Sequence, residues 1–365
     1  KIDFGTNLID TSNVTDMSGM FIGCSSLTNI TFGENFVTSN VTSMVAMFSG
    51  CSSLIILNLS GFDTSKVTGM NYMFNGCSSL TDIIFGENFV TSNVTSMSAI
   101  FVGCHLTSLD LSNFNTSKVT DMSAMFSSCS SLTNITFGEN FVTRNVTNAY
   151  YMFYDCSSLT KLNLSSFTIG SSVIVTEMFK GCSKLTEINL PKTIGVTIDL
   201  PSDGTNPYYT SWVRTDDGTS VSSITSDVAG QTIKVMAILS NNWKDAIKST
   251  LASDKITSIE FVKEEPTGAT STVAVGASTL DDTNTTTFSN AVKAYIFGTD
   301  IKFYSPLGTI LFPKVTHYRL GVGYAMFSGL SACTSINFGS GEDKLIDTSK
   351  VTDMSYMFYC AGYTA

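Results

Sequence analysis

Apolar residues recur along residues 1–190 with a spacing of 25–27 residues. Met-Phe pairs, once Ile-Phe, stand at Met20-Phe21, Met47-Phe48, Met73-Phe74, Ile100-Phe101, Met125-Phe126, Met152-Phe153 and Met178-Phe179. A cysteine lies three residues after each phenylalanine, from Cys24 to Cys182. An L-x-x-[LI]-x-[LF] run follows every time, as in Leu27-Ile30-Phe32, Leu54-Leu57-Leu59 and Leu185-Ile188-Leu190. Such a period predicts a solenoid, in which no coil has a core alone and each buries its apolar face on its neighbours.

Each coil reads as two elements. The end of the L-x-x-L-x-L run alternates, which predicts a short strand. Met17, Met20, Phe21 and Cys24 sit at i, i+3, i+4 and i+7, which predicts a two-turn helix that Thr15 caps and Gly23 ends. Strands of successive coils would stack in parallel about 4.8 Å apart. A finer alternation lies over this period. Coils with Gly-Glu-Asn, at Glu34, Glu87 and Glu139, hold one residue more than coils of the Leu59-Ser-Gly-Phe-Asp63 type. The extra residue predicts a loop bulging from every second coil.

The stretch Leu106-Thr-Ser-Leu-Asp-Leu-Ser-Asn-Phe-Asn-Thr-Ser-Lys-Val-Thr-Asp-Met-Ser-Ala-Met-Phe126 resembles the 26-residue bacterial surface repeat of BspA-like leucine-rich repeat proteins. The resemblance covers residues 1–190 and returns over 324–365. It implies a leucine-rich-repeat-like, right-handed α/β solenoid of short parallel strands and short helices. It also implies a cell-surface or secreted bacterial protein associated with adhesion, and it carries no catalytic residues.

Small β-rich modules are expected after the solenoid. Pro191, Gly195, Pro201, Gly204 and Pro207 punctuate its exit. Tyr208–Val213 and Gln231–Ile238 read as strands, with Asp217-Gly218 as a hairpin turn. Their pattern is similar to internalin-type B repeats, which implies a β-grasp-like spacer over 191–240. Trp243, Ala246, Ile247, Thr250 and Leu251 have helical spacing, and Ile256–Val262, Ser271–Val275, Ala291–Phe297 and Thr309–Phe312 read as strands. By the same resemblance, 241–323 is a cap for a second array that starts at 324–365.

Composition narrows the function. The net charge of −10 argues against nucleic acid, because phosphate binding needs a basic face. No apolar run approaches the roughly 20 residues of a membrane span. With only two histidines, His105 and His317, no catalytic, cofactor-binding or metal-ligating set is assigned and no cofactor is expected.

Other features have plain structural readings. The seven cysteines in register read as a buried, reduced column, since parallel Cβ vectors disfavour disulfides and no Cys-x-x-Cys or paired histidine suggests zinc. The methionines at the helical stripe read as core. Leu190-Pro-Lys-Thr-Ile194 has Ile where a sortase signal needs Gly, and is rejected as one. The sequons at Asn13, Asn29, Asn40, Asn93, Asn134 and Asn145 are consequences of the repeat. Asp216-Asp217-Gly218 lacks calcium-loop spacing, and the Glu34/Glu87/Glu139 row is spaced too widely to share a metal. His105 is a turn substitution. The columns Thr11/38/64/91/116/143 and Thr15/42/68/95/120/147 read as hydroxyls satisfying backbone amides, with ice binding as the alternative.

The expected function is therefore a non-enzymatic surface protein. Its solenoid would present a face to host or neighbouring-cell proteins or glycans, the alternative being a purely structural stalk. Leu345-Ile-Asp-Thr-Ser-Lys-Val-Thr-Asp-Met-Ser-Tyr-Met-Phe358 matches Leu8-Ile-Asp-Thr-Ser-Asn-Val-Thr-Asp-Met-Ser-Gly-Met-Phe21, and Ile336-Asn-Phe-Gly339 matches Ile2-Asp-Phe-Gly5. A longer period thus overlies the short one, and modules repeated head to tail are expected.

Overall fold

The computed structural model describes residues 1–5, 9–201, 212–216, 221–235, 237–240, 242–277, 289–308, 310–312, 326–327, 330–339, 345–348, 351 and 357. The chain forms two compact units, Lys1–Thr205 with Ser223–Thr232, and Asn206–Ser222 with Ile233–Ala365. Residues 191–240 contribute to both units, and 241–323 and 324–365 fall in the second.

In the first unit the L-x-x-L-x-L runs give β1 (Ile2–Asp3), β2 (Ile30–Thr31), β3 (Ile56–Leu59), β4 (Asp82–Phe85), β5 (Ser108–Leu111), β6 (Asn134–Phe137) and β7 (Lys161–Asn163). After these come β8 (Thr168–Ile169), β9 (Glu187–Asn189), β10 (Thr193–Ile194) and β11 (Ile198–Asp199). The strands alternate as expected. Leu57 and Leu59 are buried while Ile56 and Asn58 face out.

The predicted helix is absent. Residues 17–24 of the first repeat, and their equivalents in the others, form successive turns. Met20 N donates to Met17 O and Cys24 N to Phe21 O, both i to i+3. Ile22 N donates likewise to Gly19 O, and the alternate amides go to the next coil: Gly19 N to Val45 O, Phe21 N to Met47 O and Gly23 N to Ser49 O. The third residue of the first and last of these turns has positive φ, +63° at Gly19 and +71° at Gly23. This conformation, required at i+2 of a type II turn, interrupts any helix. These overlapping turns place the equivalent residues of the second repeat, Met44, Met47, Phe48 and Cys51, at fully buried inward corners, the same spacing that a helix face would show. Ala46, Tyr72, Ala99, Ala124, Tyr151 and Glu177 hold the first left-handed position without being glycine.

Beside the turns a ladder of single parallel bridges runs Asp16–Ser43–Gly69–Ser96–Asp121–Asn148–Ile174 through every coil. Besides buried columns of valine, methionine and leucine, three further columns fill the interior. Phe21, Phe48, Phe74, Phe101, Phe126, Phe153 and Phe179 form a continuous stack with ring centroids 5.3–5.9 Å apart and planes within 14°, each pair worth about 0.5–1.5 kcal/mol beyond area burial. The cysteines stand beside the rings. Cys51 Sγ donates to Phe21 O of the preceding coil at 3.1 Å, and Cys77, Cys104, Cys129, Cys156 and Cys182 repeat the contact at 3.0–3.2 Å. Thr11, Thr38, Thr64, Thr91, Thr116 and Thr143 form the third column and are at most 5% exposed. Thr116 Oγ1 donates to Val142 O at 2.6 Å and accepts from Val142 N at 2.7 Å, sewing one coil to the next.

The second unit holds β12 (Trp212–Arg214), antiparallel to the 233–235 part of a strand β14 (Thr232–Val235) that begins in the first unit; β13 (Ser223–Ile224) pairs with β11 in the first. It continues with β15 (Ala237–Leu239), α1 (Trp243–Ile247), β16 (Ser258–Phe261), β17 (Ser271–Ala277), β18 (Ser289–Phe297), β19 (Asp300–Tyr304), β20 (Ile310–Leu311), β21 (Ser335–Asn337) and β22 (Ile346–Asp347). Eight of these make one mixed sheet in the order β21-β16-β19-β18-β17-β15-β20-β22. The expected helix is α1, whose Trp243 packs edge-on against Phe303 and donates from Nε1 to Met326 O at 2.8 Å. β19 was not anticipated. Asp217-Gly218, the expected hairpin turn, lies outside the described residues, as does His317.

Two contacts in this unit repeat those of the first. Phe327 N donates to Met357 O, as Phe21 N does to Met47 O. β21 lies parallel to β16 with Ile336 opposite Ile259, and both the amide and the hydroxyl of Thr334 donate to Thr257 O.

Candidate functional site

The strands of the first unit do not form one continuous stack. They pair two by two: β1 with β2, β3 with β4, β5 with β6, and β7 with β9. No ladder joins β2 to β3, β4 to β5 or β6 to β7 among the described residues. This corrects the uniform stacking expected from the period. The residue after each leucine shows the difference atom by atom. Thr81, Thr133 and Thr186 donate both amide and hydroxyl to Ile55 O, Thr107 O and Thr160 O of the preceding coil. The equivalent amides of Ile55, Thr107 and Thr160 make no such bond to the coil before them.

The alternation follows from the Gly-Glu-Asn coils. At a closed interface, Gly86 lies so near the preceding coil that a Cβ there would stand 2.1 Å from Ser60 O; at Gly138 it would stand 2.0 Å from Ser112 O. Only glycine permits that approach. On the other side of the same coil, rings hold the next strand away. Phe32 meets Phe62 edge-on at 4.9 Å while Phe36 stacks on Phe62 at 5.8 Å. Phe85, Phe89 and Phe114 repeat this triad, as do Phe137, Phe141 and Phe167.

Two of the open interfaces form clefts that open to solvent. One of about 400 Å³ lies between β2 and β3, lined by Thr31, Phe32, Glu34, Asn58 and Ser60 among others. Another of about 390 Å³ lies between β4 and β5, against Ile84, Phe85, Asp110, Ser112 and Asn113. Both reach the lower range of small-molecule sites. Phe32 and Phe85 are partly exposed, and Asn58 and Asp110 are exposed beside them. Asn58 Oδ1 and Asp110 Oδ1 each accept the amide two residues on, which fixes their orientation at the strand end.

The residues singled out from the sequence fall elsewhere, with one exception. Glu34 lines the first cleft. The cysteines lie inside the stack, where burial pushes the thiols of Cys77, Cys129 and Cys182 up to about 12 and Cys51 to about 11, and Cys104 and Cys156 well above their ordinary value. They are neutral groups with low nucleophilicity. Met47, Met73 and Met125 are fully buried, whereas Met20 of the first repeat is 40% exposed. The Thr11 column is interior. The Thr15 row is exposed, but its role as a helix cap falls with the helix; Thr42 Oγ1 donates to Thr15 O, and Thr68 Oγ1 to Thr42 O. His105 is exposed and lies 3.1 Å from Ser131 Oγ through Nδ1. Asp216 is paired with Arg214. Among the described residues no three His, Cys, Asp or Glu side chains converge as a metal set, and no helix is long and apolar enough to cross a membrane.

Coils joined through shared columns of rings, thiols and hydroxyls define a repeat protein. The chain belongs to the family described as "Mycoplasma protein of unknown function, DUF285", which matches residues 3–88 and 82–191, just over half of the chain. No curated protein matches it. Among solved structures it is similar to a leucine-rich repeat protein from Bacteroides ovatus ATCC 8483, at 15% identity and a TM-score of 0.37, over 96% of this chain and 69% of that one.

Proposed function

We propose that this chain is a non-enzymatic bacterial surface protein that displays its repeats outside the cell for adhesion or ligand binding. In this reading the repeats form a right-handed solenoid of the leucine-rich-repeat kind, close to the BspA-like repeat. The observation that carries it is a contrast between columns. Inward positions repeat the same few residues, whereas the outward strand position holds Ile56, Asp82, Ser108, Asn134 and Lys161 in turn, all exposed. Constant backbone with varied side chains is how repeat proteins build extended binding faces.

The partners would be proteins or glycans of a host or neighbouring cell, not nucleic acid. A solid-phase screen of the purified chain against matrix proteins and glycans tests this, and saturable binding to at least one is expected. A stalk with no ligand of its own is the second reading. The unbroken bridge ladder from Asp16 to Ile174 favours it, and uniform absence of saturable binding would establish it over the first.

A further inference from the structure

We infer that the open interfaces of the repeat stack are a recurring binding site for a neutral linear polysaccharide, one site every two coils. This inference rests on the binding reading above and names the ligand class and the place.

Each described cleft offers the same chemistry. A half-buried phenylalanine, Phe32 or Phe85, supplies a ring face on which the C–H face of a pyranose can stack. Beside it stand an oriented amide or carboxylate, Asn58 or Asp110, and a hydroxyl, Ser60 or Ser112. Paired sugar hydroxyls need such groups at one edge of a ring platform, since amides and carboxylates accept and bridge neighbouring O–H groups.

Charge selects among sugars. Glu34 borders the first cleft, and Asp82 and Asp110 border the second; neither has a lysine or arginine in its lining. Uronate, sialylated or sulfated glycans would meet like charge there, so neutral hexose polymers fit and anionic ones do not.

Spacing selects a polymer. The two clefts stand two coils apart, and the phenylalanine stack advances by 5.9 Å and 5.5 Å over those two steps. The third open interface, with the ring triad of Phe137, Phe141 and Phe167, continues the row. A chain lying along the stack reaches successive clefts, so weak single-site contacts combine.

The test uses the full chain and immobilised linear mannan, β-1,3-glucan, β-1,4-glucan, hyaluronan, heparin and the matrix proteins of the screen above, with soluble oligosaccharides of increasing length as competitors. Binding to at least one neutral polymer is expected, with competition strengthening from monosaccharide to chains that span two clefts. Asn58→Ala and Asp110→Ala should each weaken it about tenfold, the effect of losing one good hydrogen bond. Phe85→Leu, which keeps an apolar filler but removes the ring face, should do the same, while Lys184→Ala should leave affinity unchanged. Thermal unfolding of each variant separates lost binding from lost folding. Neutral-glycan binding untouched by the cleft variants would overturn the assignment while leaving the adhesion reading intact. Binding only to anionic polymers, or only to matrix proteins, would overturn the ligand class. No binding to any of these would remove both.

Discussion

The closed and open interfaces of the repeat stack are built from the same coils yet join them by different means. At a closed interface, backbone meets backbone: β3 and β4 share a ladder, Thr81 donates twice to Ile55 O, and Gly86 lies against Ser60. At an open interface, contact on the strand side is left to phenylalanine rings, and a cleft of about 400 Å³ remains. The turn side does not alternate, since its bridge ladder crosses every coil. Hydrogen bonding thus fixes the stack along one side, and on the other it is relaxed at every second step. A cleft can exist there without loss of the stack.

Alkaline pH should have the largest effect, and it probes what both interfaces share. Thiols raised by burial stay protonated in the native coil when the unfolded chain has begun to ionise near its ordinary value of 9.0. Stability from the cysteine column is therefore full below about pH 9 and falls as pH rises toward about 12, by up to roughly 1.4 kcal/mol per pH unit for each thiol. Denaturant midpoints from pH 7 to 11 would show it. A flat profile would mean that the column is hydrated.

Glycine substitutions separate the two interfaces. Gly86→Ala places a Cβ against the Ser60 backbone and should destabilise by about 3 kcal/mol, the upper range for overpacking. Loss of a hydroxyl from the interior comes next. Thr116→Val removes the donor to Val142 O and leaves Val142 N only its short-range bond to Asn140 O, and should destabilise by about 2 kcal/mol. The smallest effect belongs to Gly61, which borders the first cleft and where a Cβ would meet nothing within 4 Å. Gly61→Ala should change stability by no more than about 0.5 kcal/mol. Equal losses at Gly86 and Gly61 in urea unfolding would erase the distinction between closed and open.

Much of this was legible in the sequence. The period, the strands, the buried cysteine and methionine columns and the two-coil alternation follow from spacing alone. The helix was not distinguishable, because overlapping turns of the i to i+3 kind set Met44, Met47, Phe48 and Cys51 inward at the same intervals as a helix face. Its failure had one visible sign. Gly23, Gly50, Gly76 and Gly103 recur where positive φ is needed, and a helix stop accounts for them as well as a turn does. The clefts were hidden for another reason. The extra residue at Glu34, Glu87 and Glu139 was apparent, but whether it bulges outward or parts two strands depends on where Gly86 packs and how Phe85 meets Phe114.

Residue-resolved amide hydrogen exchange tests the alternation most directly. Thr81, Thr133 and Thr186 close inter-coil bonds, and Ile55, Thr107 and Thr160 at the same repeat position do not. The first three amides should exchange slowly, with protection approaching that of the global unfolding reaction, and the last three orders of magnitude faster. Uniform protection of all six would show a continuous parallel stack with no clefts, and would contradict this account.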